Sequence, residues 1–270
     1  GNPKFVIRTV SIIFILSLAI MTLVAFQFGN MVSPDSVRMA AIVFQIGVIA
    51  MLAPGLSSGL ITDEISSGTF IALRMTPLSP FTVVMGKLQA TFFYAMIFLF
   101  SSSFVLFAIA FLEQQSVFPE GSILAGKWWG VVLQKARNMS WWIEVWTTYR
   151  RIVLWVLLLI LSALVFLSSG LFASAFCKST GAATAIAYMI SAFLCVVSFA
   201  PIILKSKLPP EISQIILSLN PIASALQVTN GSFGEYPGLC IKNIFMMSGI
   251  VVFFTVSAMT RTWWIFRSQD

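Results

Sequence analysis

Few side chains in this chain could do covalent or metal chemistry. It has nine Asp and Glu residues, sixteen Lys and Arg residues and no histidine in 270 positions. Without histidine there is no Ser-His-Asp triad, no His-ligated zinc and no HExxH site. Cys177, Cys195 and Cys240 are too few and too widely spaced for a disulfide framework or a CxxC metal site, and they read as small apolar packing residues. The segment Gly121-Ser122-Ile123-Leu124-Ala125-Gly126-Lys127 matches the first seven positions of a phosphate-binding P-loop. The eighth position is Trp128, which has no hydroxyl for magnesium, and no parallel-sheet pattern flanks it. The expectation is therefore a chain that binds no nucleotide, cofactor or metal itself. One polar segment remains, around the adjacent carboxylates Asp63 and Glu64, and it sits between long apolar runs.

Those runs define the class. Hydrophobic residues make up 59% of the chain and charged residues 9%, against about 45–50% and 25% in soluble proteins. The mean hydropathy is +0.96. Too little polar surface is available to cover a soluble globule, so the chain is read as an all-α integral membrane protein. The net charge of +7 does not point to nucleic acid, because the basic residues lie mostly at the ends of apolar runs, where they anchor a helix at the membrane interface. Crossing a hydrocarbon core of about 30 Å takes about 20 apolar residues at 1.5 Å each. Charge-free runs place six spans near 9–28, 37–56, 82–112, 151–174, 181–204 and 241–261, in a single domain over 1–270. The first follows Lys4 and Arg8 like a signal peptide, but it is too long and no small-x-small site follows Phe28, so it reads as a retained span. A seventh uncharged run contains Asn220-Pro221 and Asn230-Gly231-Ser232. These break a lipid-exposed helix, so 205–240 is read as a hairpin of two short helices on one membrane face.

With both termini cytoplasmic, seven Lys and Arg residues fall inside and nine outside, which leans against the positive-inside rule. Five of the nine belong to the segment 113–150 and the adjoining Arg151; without them the count is seven to four in favour. In that segment Trp128, Trp129, Val132, Ala136, Met139, Ile143 and Trp146 share one helical face. With Trp141 and Trp142 they describe a basic, tryptophan-rich helix lying in lipid headgroups. It serves either as a passive anchor or in guiding substrate or binding a partner at the outer leaflet.

Residues 59–89 carry the clearest pattern. Asp63 and Glu64 open a short segment, Gly68 permits close backbone approach, Phe70, Ile71, Leu73 and Met75 supply apolar contacts, and Thr76-Pro77-Leu78-Ser79-Pro80 ends it. Lys87 marks re-entry into the membrane. Spacing alone allows a short amphipathic helix on a membrane face or an ordinary surface loop. The run Glu64, Gly68-Thr69, Leu73, Thr76-Pro77-Leu78-Ser79 and Gly86-Lys87 resembles the loop between spans two and three in the membrane subunit of type-2 ABC transporters, the permeases of many bacterial exporters. Phe176-Cys177-Lys178-Ser179 is similar to that family's short turn after span four. Leu219-Asn220-Pro221-Ile222 is similar to its Asn-Pro signature before span six. Only Gly1–Arg8 precedes the first span, where the family usually has an amphipathic helix. The 113–150 insert is also longer than usual.

The resemblance implies a multi-pass permease of the bacterial inner membrane with both termini cytoplasmic. Its segment 59–80 would be a cytoplasmic coupling helix docking on an ATPase through Asp63, Glu64, Gly68, Thr69, Phe70, Leu73, Arg74, Pro77, Leu78 and Lys87. The Trp helix between spans three and four, and the hairpin with Asn220 and Pro221, would lie outside. Partners would be two ATPase subunits carrying ATP and magnesium, a second permease copy or paralogue, and membrane lipids, with no nucleic acid. The uncharged spans themselves argue against ion-coupled transport, which places Asp, Glu, Lys or Arg inside spans. A path for an amphipathic, lipid-like or drug-like cargo could be lined by Gln45, Tyr94, Tyr188, Ser191 and Phe193, though each is also an ordinary packing residue. Pro54 and Pro201 could kink spans two and five into a gate. The rival reading is a non-transporting sensor or assembly scaffold that binds a cytosolic partner through 59–80; a weaker rival is a passive channel.

Overall fold

The computed structural model describes residues 34–69, 79–115, 139–203, 209–230 and 238–267. The expected first span, most of the 113–138 stretch and the tip of the 59–80 segment lie outside the described residues. All regular structure among the described residues is helical. The order is α1 (Pro34–Ser57), α2 (Thr62–Ser66), α3 (Pro80–Gln115), α4 (Met139–Phe176), α5 (Thr180–Cys195), a 3-10 turn (Val197–Phe199), α6 (Ala200–Ile203), α7 (Pro210–Ser218), α8 (Pro221–Asn230) and α9 (Leu239–Arg267). Among the described residues four segments are long and apolar enough to cross a membrane: Ile42–Ser66, Arg150–Phe176, Thr180–Phe199 and Leu239–Ile265.

α4 is the central helix and packs against α1, α9, α5, α3 and α8. Its inner face, including Leu158, Val165, Phe166, Leu167 and Leu171, joins Ile42, Ile46 and Ile49 of α1 and Val84, Leu88 and Leu99 of α3 in one core. Cys240 lies in this core and Cys195 packs against it, while Cys177 packs against a small alanine cluster between α4 and α5; all three thiols are free. Where α1 and α4 cross, Gly170 lets the two backbones meet. A β-carbon there would fall 2.9 Å from the Pro54 carbonyl oxygen and 2.0 Å from Ser57 Oγ.

Two expectations are corrected. Residues 139–150 are the first turns of α4, so Trp141, Trp142 and Trp146 belong to the same continuous helix as 151–174 and not to a separate interfacial helix. No Gly or Pro interrupts 139–169, and Arg150-Arg151 ends an apolar run without ending a helix. Thirty-eight residues make α4 about 57 Å long, so it extends well beyond a hydrocarbon core of about 30 Å. Trp146 and Ile143 are exposed on this extension. Trp128 and Trp129 lie outside the described residues.

The second correction concerns 181–204, which is broken. Phe199 N–H donates to the Val196 carbonyl in a 3-10 bond. It therefore leaves the Cys195 carbonyl, its partner in a continuing α-helix, to another donor. Pro201 has no N–H to offer Val197. The hairpin supplies the missing donor: Asn220 Nδ2 donates to the Cys195 carbonyl at 3.0 Å. α7 and α8 are two short helices within 205–240. Leu217, Ala223 and Leu239 form a small separate core beneath them, with Phe199 packed against it.

Candidate functional site

The polar segment after α1 is held to the helix bundle by uncharged hydroxyls. Ser174, fully buried near the end of α4, accepts hydrogen bonds from the backbone N–H groups of Ile61 and Thr62 at 2.8 and 3.0 Å. Thr62 Oγ1 lies 2.9 Å from Ser174 Oγ and also donates to the Ser174 carbonyl. Beside it, Ser58 Oγ meets Thr184 Oγ1 of α5 at 2.8 Å. These N–H groups belong to the α1–α2 connection and its first helical turn, where no intrahelical partner exists. Thus α1, α2, α4 and α5 meet at one end of the bundle. Sequence reading missed Thr62, Ser174, Ser58 and Thr184, because isolated hydroxyls inside apolar runs carry no signal that separates helix packing from function.

α2 is a short helix with Asp63 and Glu64 in its first turn, the end of a helix at which carboxylates are favoured. Gly68 has φ +74°, a left-handed conformation that a β-carbon disfavours. That reversal follows Ser67 N–H to Asp63 and Gly68 N–H to Ile65 backbone hydrogen bonds, and Thr69 Oγ1 lies 2.9 Å from Ser67 Oγ. Asp63, Ile65, Gly68 and Thr69 are exposed.

Glu64 is not. Its Oε2 lies 2.6 Å from Lys87 Nζ on α3, and both side chains are largely shielded. Lys87 also donates to the Leu60 carbonyl. Lys87 thus closes the base of the loop, joining its entry at Leu60, its helix α2 and its exit into α3. Glu64 and Lys87, both expected at a partner surface, are paired with each other. Asp63 is the acid left on the surface. Phe70, Leu73, Arg74, Pro77 and Leu78 lie outside the described residues. Glu64→Ala is expected to destabilise the protein by about 1–2 kcal/mol, because it strands a partly buried ammonium. The exchange Glu64→Lys with Lys87→Glu should recover much of that loss, and thermal melting in detergent checks both.

The expected path residues do not converge within one chain. Gln45 is buried in α1, and Ser191 is buried with its hydroxyl on the Ala187 carbonyl of its own helix. Tyr188 OH donates to the Met51 carbonyl of α1 at 2.8 Å, one residue beyond the Ala50 carbonyl that Pro54 cannot serve. Tyr94 and Phe193 point outward from α3 and α5, which are not principal neighbours. Asn220 and Pro221 cap α8: Asn220 Oδ1 accepts from the N–H groups of Ile222 and Ala223, and Pro221 takes the first helical position.

A chain whose described regular structure is all helical, with several apolar helices, a polar loop locked to their ends and no charge within their cores, is a multi-pass membrane protein. The model of the ABC-2 family transporter proteins matches residues 16–270, so the chain belongs to this family and is the membrane subunit of a transporter. A comparison with curated proteins finds no significant match.

Proposed function

We propose that the chain is the transmembrane subunit of an ATP-driven exporter in a bacterial inner membrane, with both termini cytoplasmic. It pairs with a second permease copy or paralogue to enclose a path for an amphipathic, lipid-like or drug-like substrate. Two separate ATPase subunits bind and hydrolyse ATP with magnesium and dock on segment 59–80. Closure of the ATPases on ATP moves the two loops, and the spans follow, switching the cavity between faces.

The observation that carries this reading is the buried Thr62–Ser174 contact. A docking surface does mechanical work only if it is tied to the spans, and here the exposed face of α2 sits one residue from a buried hydrogen-bond lock on α4. Family membership over residues 16–270 supports the same reading. The outward orientation of Tyr94 and Phe193 suits a path formed between two chains.

Asp63→Lys and Thr69→Trp test the docking surface, since both side chains are exposed and neither enters the lock. Loss of a charge-assisted contact of about 1.5–3 kcal/mol weakens docking roughly 10- to 100-fold. Both variants should reach normal abundance yet lose the co-purifying ATPase, or hydrolyse ATP without transport in vesicles. Wild-type transport by both, with the ATPase bound, would remove segment 59–80 from the coupling role. ATPase binding without any nucleotide-dependent transport in the wild-type protein would favour a sensor or scaffold.

A further inference from the structure

The geometry points to an anionic-phospholipid site between the ends of α4 and α9, on the membrane face that carries α2. Its floor is a ladder of phenyl rings. Phe253 meets Phe254 at 5.7 Å between centroids, Phe254 meets Phe172 of α4 at 5.1 Å, and Phe172 meets Phe176 at 4.7 Å. Arg261 stands at the top of the ladder. Its guanidinium lies 5.9 Å from the Phe176 ring and 4.8 Å from Trp264, one turn further along α9. Arg267 stacks on Trp263 at 5.3 Å, and Lys178 follows Phe176 by two residues in the exposed turn after α4. Phe254 precedes Arg261 by seven residues, about 10 Å along the helix, a depth that takes the upper part of an acyl chain. Phe176, Trp263 and Trp264 are about half exposed, and Phe253 more so.

The face is fixed by two contacts. Thr62 of α2 binds Ser174, and Arg261 stacks on Phe176, two residues beyond.

Charge selects the occupant. Among the described residues no carboxylate stands within ion-pair distance of Arg261, Arg267 or Lys178, and Glu64 on the same face is held by Lys87. The Arg261 Nε–H is shielded and meets no acceptor among these residues. Three cations without a counter-ion among the described residues, two of them over aromatic rings at the end of an apolar ladder, match a phosphate above hydrocarbon. An acidic protein segment would satisfy the charges but leave the phenyl ladder uncovered. A free phosphate would do the same. The site depends on the chain spanning a membrane and not on the identity of the ATPase, so it stands or falls separately from the coupling role.

The full-length permease is reconstituted in nanodiscs of phosphatidylcholine doped with phosphatidylglycerol, and the lipid retained on release is counted by native mass spectrometry. Wild type should retain phosphatidylglycerol in preference to phosphatidylcholine. Arg261→Gln should weaken that retention roughly tenfold, the value of one charge-assisted contact, and Lys178→Gln severalfold, while Arg261→Lys keeps most of it. Millimolar inorganic phosphate should not displace the lipid. Matched melting curves in pure phosphatidylcholine establish that the variants are folded; if Arg261→Gln is not, Lys178→Gln with Arg267→Gln carries the test. Equal retention of the two lipids by wild type, or unchanged retention by the folded variants, overturns the site. So does displacement by inorganic phosphate, or loss of a bound protein partner with lipid retention intact.

Discussion

Gly170→Val should disassemble the crossing of α1 and α4, and with it the platform on which the polar loop rests. The first added carbon would fall 2.0 Å from Ser57 Oγ, 2.9 Å from the Pro54 carbonyl oxygen and 3.1 Å from Ser57 Cβ. Ser57 Oγ could rotate away by giving up its hydrogen bond to the Ala53 carbonyl, but the Pro54 carbonyl is backbone and cannot. Two further methyl groups force the helices apart, and overpacking of this kind costs about 3 kcal/mol. Membrane helices gain little from apolar burial relative to lipid, so close approach at small residues is what holds them together. Ser168, Ser169 and Gly170 give α4 such a stretch, all buried. The expected result is a melting temperature lower by roughly 6–12 °C and a fall in monodisperse protein. Gly170→Ala should be milder with the same sign, and Ser57→Gly should relieve part of its loss. A Gly170→Val protein that melts like wild type would mean that α1 and α4 do not approach this closely.

The helices were legible because lipid imposes one rule: long runs without charge. The same rule misplaced their ends. A charged pair such as Arg150-Arg151 marks where a helix leaves hydrocarbon, and the backbone there continues its hydrogen bonds unchanged, so α4 begins twelve residues before the span read from composition. Pro201 marked a kink in this span, but the place where the helix breaks, after Cys195, was hidden for the opposite reason. No charge and no glycine stands there, and the chain leaves the α-helix because Phe199 bonds to Val196 while a donor from another helix takes the Cys195 carbonyl. A tertiary partner sets where the helix breaks, and local composition contains only Pro201. Asn220-Pro221, by contrast, was visible as a helix break, and a new helix starts there because the Asn side chain accepts from N–H groups local in sequence and Pro in the first turn has none to satisfy.

The loop shows the same division. Asp63 and Glu64 are adjacent, share a first turn and look equivalent in the sequence, yet a helix turns neighbours about 100° apart, so one faces Lys87 and the other faces outward. Which one does so depends on the angle at which α3 returns, fixed by packing on α1, α4 and α9. Ser174 and Thr62 were out of reach for a further reason. In an apolar interior two hydroxyls and two backbone N–H groups suffice for a firm attachment, and serine and threonine are too common in membrane helices to stand out.

Asn220→Leu should be the most damaging change at the opposite end of this logic, where one residue joins three helices. Oδ1 accepts from Ile222 N–H at 2.8 Å and Ala223 N–H at 3.2 Å, Nδ2 donates to Cys195 at 3.0 Å, and the backbone carbonyl accepts from Asn243 Nδ2, which also reaches Ser218. Asn220 and Asn243 are both fully buried. Leucine keeps the bulk but removes every side-chain partner. Losing the cap costs about 1 kcal/mol, and stranding the Cys195 carbonyl away from water about 1–3 kcal/mol more. The sum, about 2–4 kcal/mol, should appear as reduced abundance and an earlier melt. Asn220→Ser separates the two parts. A serine hydroxyl caps a helix well but is too short to span to Cys195, so it should recover about 1 kcal/mol and leave the rest lost. If Asn220→Ser instead melts like wild type, the asparagine is only a cap, and the tie between the hairpin and the broken end of α5 does not contribute to stability. If it melts like Asn220→Leu, the donor to Cys195 carries the whole effect, and the hairpin is held chiefly by the carbonyl that α5 releases when it breaks.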